Sequence, residues 1–90
     1  MYSKMTVVSN PSGLHARPAA VFAKQASSYE AKVTIANVTK GGAAGDASSM
    51  LAIMMLAAKP GDEIEISADG VDEVVAVDEL VELIESGCGE

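Results

Sequence analysis

The segment Glu63-Ile64-Glu65-Ile66-Ser67 alternates polar and apolar side chains at strict period two, the pattern of a strand with one wet and one dry face. Such a strand needs a layer over its dry face, and Lys32-Val33-Thr34-Ile35-Ala36 repeats the demand with Val33 and Ile35 on one side. Lys4 to Val8 is a third, β-branched run, leaving into the turn-forming Asn10-Pro11-Ser12-Gly13.

Between these runs the period changes. Residues from about Ala16 to Ser27 are Ala-rich, with Val21 and Phe22, and read as a helix. Ser48 and Ser49 cap a second, short helix over Met50 to Leu56, closed by Pro60-Gly61. From Val71 onward, Val74, Val77, Leu80, Val81 and Ile84 recur at helical spacing, with Asp69, Asp72 and Glu73 at the positive end of the helix dipole, and this third helix ends by Gly87. Asn37 to Asp46, with Gly41, Gly42 and Gly45, reads as a flexible loop holding at most a weak edge strand. The order β-α-β-(β)-α-β-α, without an internal repeat, predicts an α+β fold: an antiparallel sheet with helices on one face.

At 90 residues the chain encloses one modest core, so one domain spanning 1–90 is expected, with 87–90 as a frayed tail. Residues 1–59 hold all six basic groups against Glu30 and Asp46, whereas 60–90 hold eleven acids and no base. The net charge of −7 and the lack of a Lys/Arg run argue against nucleic acid as a partner. The acidic part reads as a solvated helix, and the basic part, with Arg17 and Lys24 seven residues apart on one helix face, as a docking surface for an acidic partner. A lone Cys88 makes no internal disulfide and reads as a tail thiol in a reducing cytoplasm. The longest apolar stretch, Met50 to Ala58, is far short of a membrane span, and the start carries no signal-peptide-like run; a cytoplasmic monomer is expected.

Chemistry concentrates in Gly13-Leu14-His15-Ala16-Arg17-Pro18-Ala19. Gly13 permits a sharp turn, and Pro18 falls in the first helical turn, where its missing N–H costs nothing. His15 then sits at or near the N-cap, where the dipole opposes a cation on the ring and leaves a nucleophilic nitrogen. A phosphoryl group on that nitrogen would meet the amides of Ala16 and Arg17 and the Arg17 guanidinium. As the sole histidine, His15 supports no two-histidine metal site and no Ser-His-Asp triad, so neither metal nor cofactor is expected. Taken alone, it also reads as a simple polar cap.

The stretch Gly-Leu-His-Ala-Arg-Pro-Ala resembles the active-site signature of HPr, the phosphocarrier family of the bacterial sugar phosphotransferase system. The resemblance runs through Val33 to Ala36, Gly45-Asp46-Ala47-Ser48-Ser49-Met50-Leu51 and Ile64-Glu65-Ile66-Ser67-Ala68-Asp69-Gly70. It implies an open-faced sandwich of four antiparallel strands and three helices, and a relay component rather than a stand-alone enzyme. His15 matches the histidine that takes a phosphoryl group on Nδ1 from Enzyme I and passes it to IIA domains, and Arg17 the arginine that contacts that group. Ala20 and Lys24 fall on the docking face, and Met50, Leu51 and Met54 in an apolar docking patch, although burial is the default reading of a methionine-rich helix.

Ser49 matches a regulatory serine phosphorylated by an ATP-dependent kinase, and it reads equally as an ordinary N-cap. Ser48 stands where a lysine is frequent, and the 37–46 loop is about three residues longer than usual in the family. Two further roles remain open: a regulatory module that binds a transcription factor under Ser49 control, and a carrier of a nitrogen-related branch.

Overall fold

In the computed structural model, which describes residues 1–11 and 13–88, the elements follow the expected order. They are β1 (Tyr2–Val7), α1 (Ala16–Ala26), β2 (Lys32–Asn37), β3 (Gly45–Asp46), α2 (Met50–Met55), β4 (Glu63–Asp69) and α3 (Glu73–Glu85). The strands form one antiparallel sheet in the order β1-β4-β2-β3. The register sets Ile66 opposite Lys4 and Ile35, and Glu65 opposite Met5 and Ala36, so period-two alternation sorts the faces as the sequence requires.

The dry face carries Val8, Val33, Ile35, Ile64, Ile66 and Ala68, all buried, and α3 lies across β1 and β4 to cover it. α1 packs on α3 and on α2, contributing Phe22, Ala19 and Ala26 to the same core. Burying each large apolar side chain of this cluster contributes about 1.5–3 kcal/mol.

β1 starts two residues before the Lys4 read from sequence. Tyr2 pairs with Ala68, and its hydroxyl donates to Asp78 Oδ1 at 3.0 Å, tying the strand to α3. Lys4, although charged, occupies the helix side and reaches the same carboxylate at 2.8 Å.

The expected frayed tail is a correction as far as Gly87 and Cys88 are concerned; Gly89 and Glu90 lie outside the described residues. After the C-cap Ser86 the chain turns back with Gly87 at φ +85, its N–H bonding Ile84 O at 3.1 Å while the Cys88 N–H bonds Leu83 O at 2.9 Å. That pair of bonds is a Schellman closure, and it folds Cys88 into the core at 1% exposure. Asn10 Nδ2 donates to Gly87 O at 2.9 Å, so the closure also anchors the loop that leads into α1.

Candidate functional site

Gly13 is held at φ +72, a region costly for any residue with a Cβ. Here the contact is as restrictive as the dihedral: a Cβ on Gly13 would lie 2.3 Å from Ala58 O and 3.2 Å from Lys59 Cα. The Gly13 N–H bonds Asn10 O at 3.0 Å, the next N–H, of Leu14, bonds Ala58 O at 3.1 Å, and Leu14 is buried. The entry to α1 is therefore pinned backbone-to-backbone against the connection between α2 and β4.

His15 follows as the N-cap, extended at φ −91 and ψ −162, its carbonyl accepting the Ala19 N–H at 2.9 Å. No side-chain cap hydrogen bond closes the helix start. His15, Ala16 and Arg17 are all exposed, and Pro18 at the third helical position is buried, placed where it donates nothing and loses nothing. The result is an exposed imidazole at a helix N-terminus whose first turn also carries the exposed Arg17, residue types suited to a phosphate. Arg17, Ala20 and Lys24 recur along one side of α1, and all three are exposed.

α2 is short and apolar nearly all round, so it cannot bury every side chain. It buries Ile53, while Met50, Leu51, Met54 and Met55 are exposed, Leu51 at 68% and Met55 at 75%. The default expectation of buried methionines therefore fails for this helix, and Met55 joins the three residues expected in the patch. Because α1 and α2 pack together, this apolar surface flanks the helix that carries His15.

Ser49 is the N-cap of α2, its Oγ accepting the Ala52 N–H at 3.2 Å. Ser48 donates its Oγ–H to Asp46 Oδ1 at 2.6 Å and its N–H to the same oxygen at 2.9 Å, which holds the Asp46 carboxyl below its usual range. Leu14, the residue before His15, is bonded to Ala58 beyond the C-cap of α2, whereas Ser49 sits at the opposite, N-terminal end of that helix.

Sequence reasoning missed the backbone of Ala58 and Lys59 as the wall that positions Gly13. It also missed Asn37, which is 1% exposed. The Asn37 Nδ2 donates to Leu56 O and to Asp62 Oδ2, both at 3.1 Å, and its Oδ1 accepts the Lys40 N–H at 3.2 Å. The Lys59 N–H and the Asn37 amide together keep Asp62 ionised below the ordinary carboxylate range. A polar residue ending the alternating β2 run was the available signal for Asn37; nothing in the sequence ties Ala58 to Gly13.

A family model described as "PTS HPr component phosphorylation site" matches residues 2–86. The chain is 44% identical over 84 residues to phosphocarrier protein HPr of Haemophilus influenzae, covering 93% of this chain and 95% of the relative. It is 34% identical over 87 residues to phosphocarrier protein NPr of Proteus mirabilis, covering 97% and 94%. Among solved structures, HPr-C-His from Thermoanaerobacter tengcongensis superposes with a TM-score of 0.90 at 38% identity, covering 100% of this chain and 98% of that one.

Proposed function

The chain belongs to the HPr family of phosphocarrier proteins, and from that premise we propose that His15 is the residue that carries the phosphoryl group. The observation that supports this most directly is the exposed N-cap placement of His15, at a helix start whose first two residues are the exposed Ala16 and Arg17. In this reading a lone pair of the imidazole, on Nδ1, attacks the phosphorus of phospho-Enzyme I. A P–N bond forms on His15 as the P–N bond on the partner histidine breaks, and the electron pair of the broken bond returns to the partner ring. Charge on the in-flight phosphoryl oxygens meets the two amides, the α1 dipole and the Arg17 fork. Donation to a histidine of a IIA domain is the same exchange in the other direction.

As a family member the chain works with other components of the phosphotransferase system. Our reading assigns Enzyme I and IIA domains as its donor and acceptors, docking over Ala20, Lys24, Met50, Leu51 and Met54, in the cytoplasm and as a single carrier domain. No helix among the described residues is long and apolar enough to cross a membrane. The assignment to the sugar-transport branch rests on the 44% identity to one HPr, since the other HPr relatives, at 32–36%, are no more similar than the NPr relatives at 34–37%. Ser49 is assigned a regulatory phosphate: at a helix N-terminus the added charge meets the dipole favourably and changes docking without unfolding the helix.

The test is incorporation of acid-labile, base-stable phosphate from radiolabelled phosphoenolpyruvate and Enzyme I. His15→Ala is expected to abolish labelling while leaving the fold intact, because an exposed N-cap side chain contributes little to the core. Labelling of that variant near the wild-type level would overturn the assignment.

A further inference from the structure

The last carbonyls of a helix lie beyond the reach of its own amides and need donors from elsewhere. At the end of α3 the segment between β1 and α1 supplies two. The Ser9 hydroxyl is shared between Ile84 O at 3.0 Å and Glu85 O at 3.3 Å, and Asn10 Nδ2 donates to Gly87 O at 2.9 Å. We infer that Asn10, assisted by Ser9, is a positioning residue for phosphoryl transfer: it fixes the loop that sets where His15 stands, and so governs the rate of transfer rather than the binding of partners. The inference rests on the phosphocarrier reading and names a further residue that serves its transfer step.

Backbone bonds carry the anchor from Asn10 toward His15. Asn10 O accepts the Gly13 N–H at 3.0 Å, and the Leu14 N–H, one residue before His15, takes Ala58 O at 3.1 Å. Pro11 follows Asn10 directly and fixes one of the dihedrals between them. The segment is thus slung between two walls: the end of α3 through Ser9 and Asn10, and the connection between α2 and β4 through Gly13 and Leu14. A segment held at one wall pivots about it; two walls fix its place. Transfer feels that placement, since displacing a reacting group by about 1 Å costs on the order of 100-fold in rate.

Burial separates this role from docking. Asn10 is 0% exposed, so replacing it alters no group that a partner touches. Fold stability is the competing account of the same bond, and the molecule holds a bond that isolates it. Tyr2 Oη donates to Asp78 Oδ1 at 3.0 Å, which also ties the chain around β1 to α3, but at the end of the strand away from the His15 loop.

The test is single-turnover transfer from radiolabelled phospho-Enzyme I, measured against carrier concentration for wild type, Asn10→Ala, Ser9→Ala and Tyr2→Phe, at a temperature where circular dichroism shows the chains folded. Asn10→Ala is expected to lower the maximal rate about ten-fold, with the half-saturating carrier concentration within about two-fold of wild type. Ser9→Ala lowers the maximal rate about three-fold. Because it removes one exposed hydroxyl and leaves the core untouched, Ser9→Ala decides the matter if Asn10→Ala does not fold. Tyr2→Phe keeps the wild-type rate. Maximal rates within about two-fold of wild type in the folded Asn10 and Ser9 variants overturn the inference and leave these bonds a structural role only. A loss in Tyr2→Phe equal to theirs overturns it too, since stability alone then accounts for the slowing. A raised half-saturating concentration at an unchanged maximal rate overturns it in favour of docking. A wild-type chain that takes no label overturns the phosphocarrier reading itself, and this inference with it.

Discussion

At the start of α1 no side-chain cap closes the helix, whereas at the start of α2 Ser49 accepts the Ala52 N–H and Ser48 closes on Asp46. The first entrance is positioned from outside, by backbone packing of Gly13 on Ala58, and the second from within, by its own hydroxyls and a carboxylate. The difference matters for phosphate. A phosphoryl group on His15 arrives at a helix end whose backbone is held by Ala58 and by the Asn10 anchor on Gly87. A phosphate on Ser49 arrives where a hydroxyl already caps, and its oxygens must take over the Ala52 bond.

The largest expected effect in this comparison comes from closing the α1 entrance. Gly13→Ala places a Cβ 2.3 Å from Ala58 O and forces a non-glycine residue to φ +72. Positive-φ strain and overpacking together cost about 3 kcal/mol. Urea denaturation measures that loss, and labelling at His15 should slow in the fraction that remains folded, because the whole α1 entry shifts. A stability within about 0.5 kcal/mol of wild type would mean that the entry is not held by this contact.

This contact also marks where sequence reading stops. Strands β2 and β4 were legible because their alternation is strict, and α3 because its apolar residues keep helical spacing on an acidic background. The His15 constellation was legible because its members are nearly consecutive, so local geometry alone brings them together. The pinning of Gly13 by Ala58 joins residues 45 positions apart, and no periodicity encodes such a contact. Cys88 misled for a related reason: Gly87 announces a helix end, but only the Leu83 carbonyl and the room left for Cys88 in the core decide whether the chain frays or folds back. The start of β1 at Tyr2 escaped the sequence reading because Tyr2 is tied in by Asp78, more than 70 residues away.

The α2 entrance is expected to respond less. Ser49→Ala removes the oxygen that accepts the Ala52 N–H and should lower stability by about 1 kcal/mol, the usual value of such a cap. Labelling at His15 should continue at the wild-type rate, since the entry to α1 does not pass through Ser49. Thermal denaturation beside the labelling assay checks both halves, and a slowed transfer at unchanged stability would mean that the two entrances are coupled through α2.

The smallest effect separates the entrances by pH. Asp46 accepts both the hydroxyl and the amide of Ser48, bonds that favour the carboxylate and lower its pKa in the folded chain. A carboxyl depressed on folding adds stability above the ordinary carboxylate pKa of about 4, and that stability is lost as pH falls through the depressed folded value. The Ser48 amide resonance should therefore hold its neutral-pH position to below about pH 4 and then move, as the accepting oxygen gains a proton. Asp46→Asn should hold that resonance at one position through the same acid range, because its amide does not titrate there. The Leu14 amide is bonded to the Ala58 carbonyl, which has no proton to gain, and should stay in place until the chain unfolds. A Ser48 transition centred at or above about pH 4 would show that the Ser48 bonds do not hold Asp46 in solution. The α2 entrance would then be held by the Ser49 cap alone.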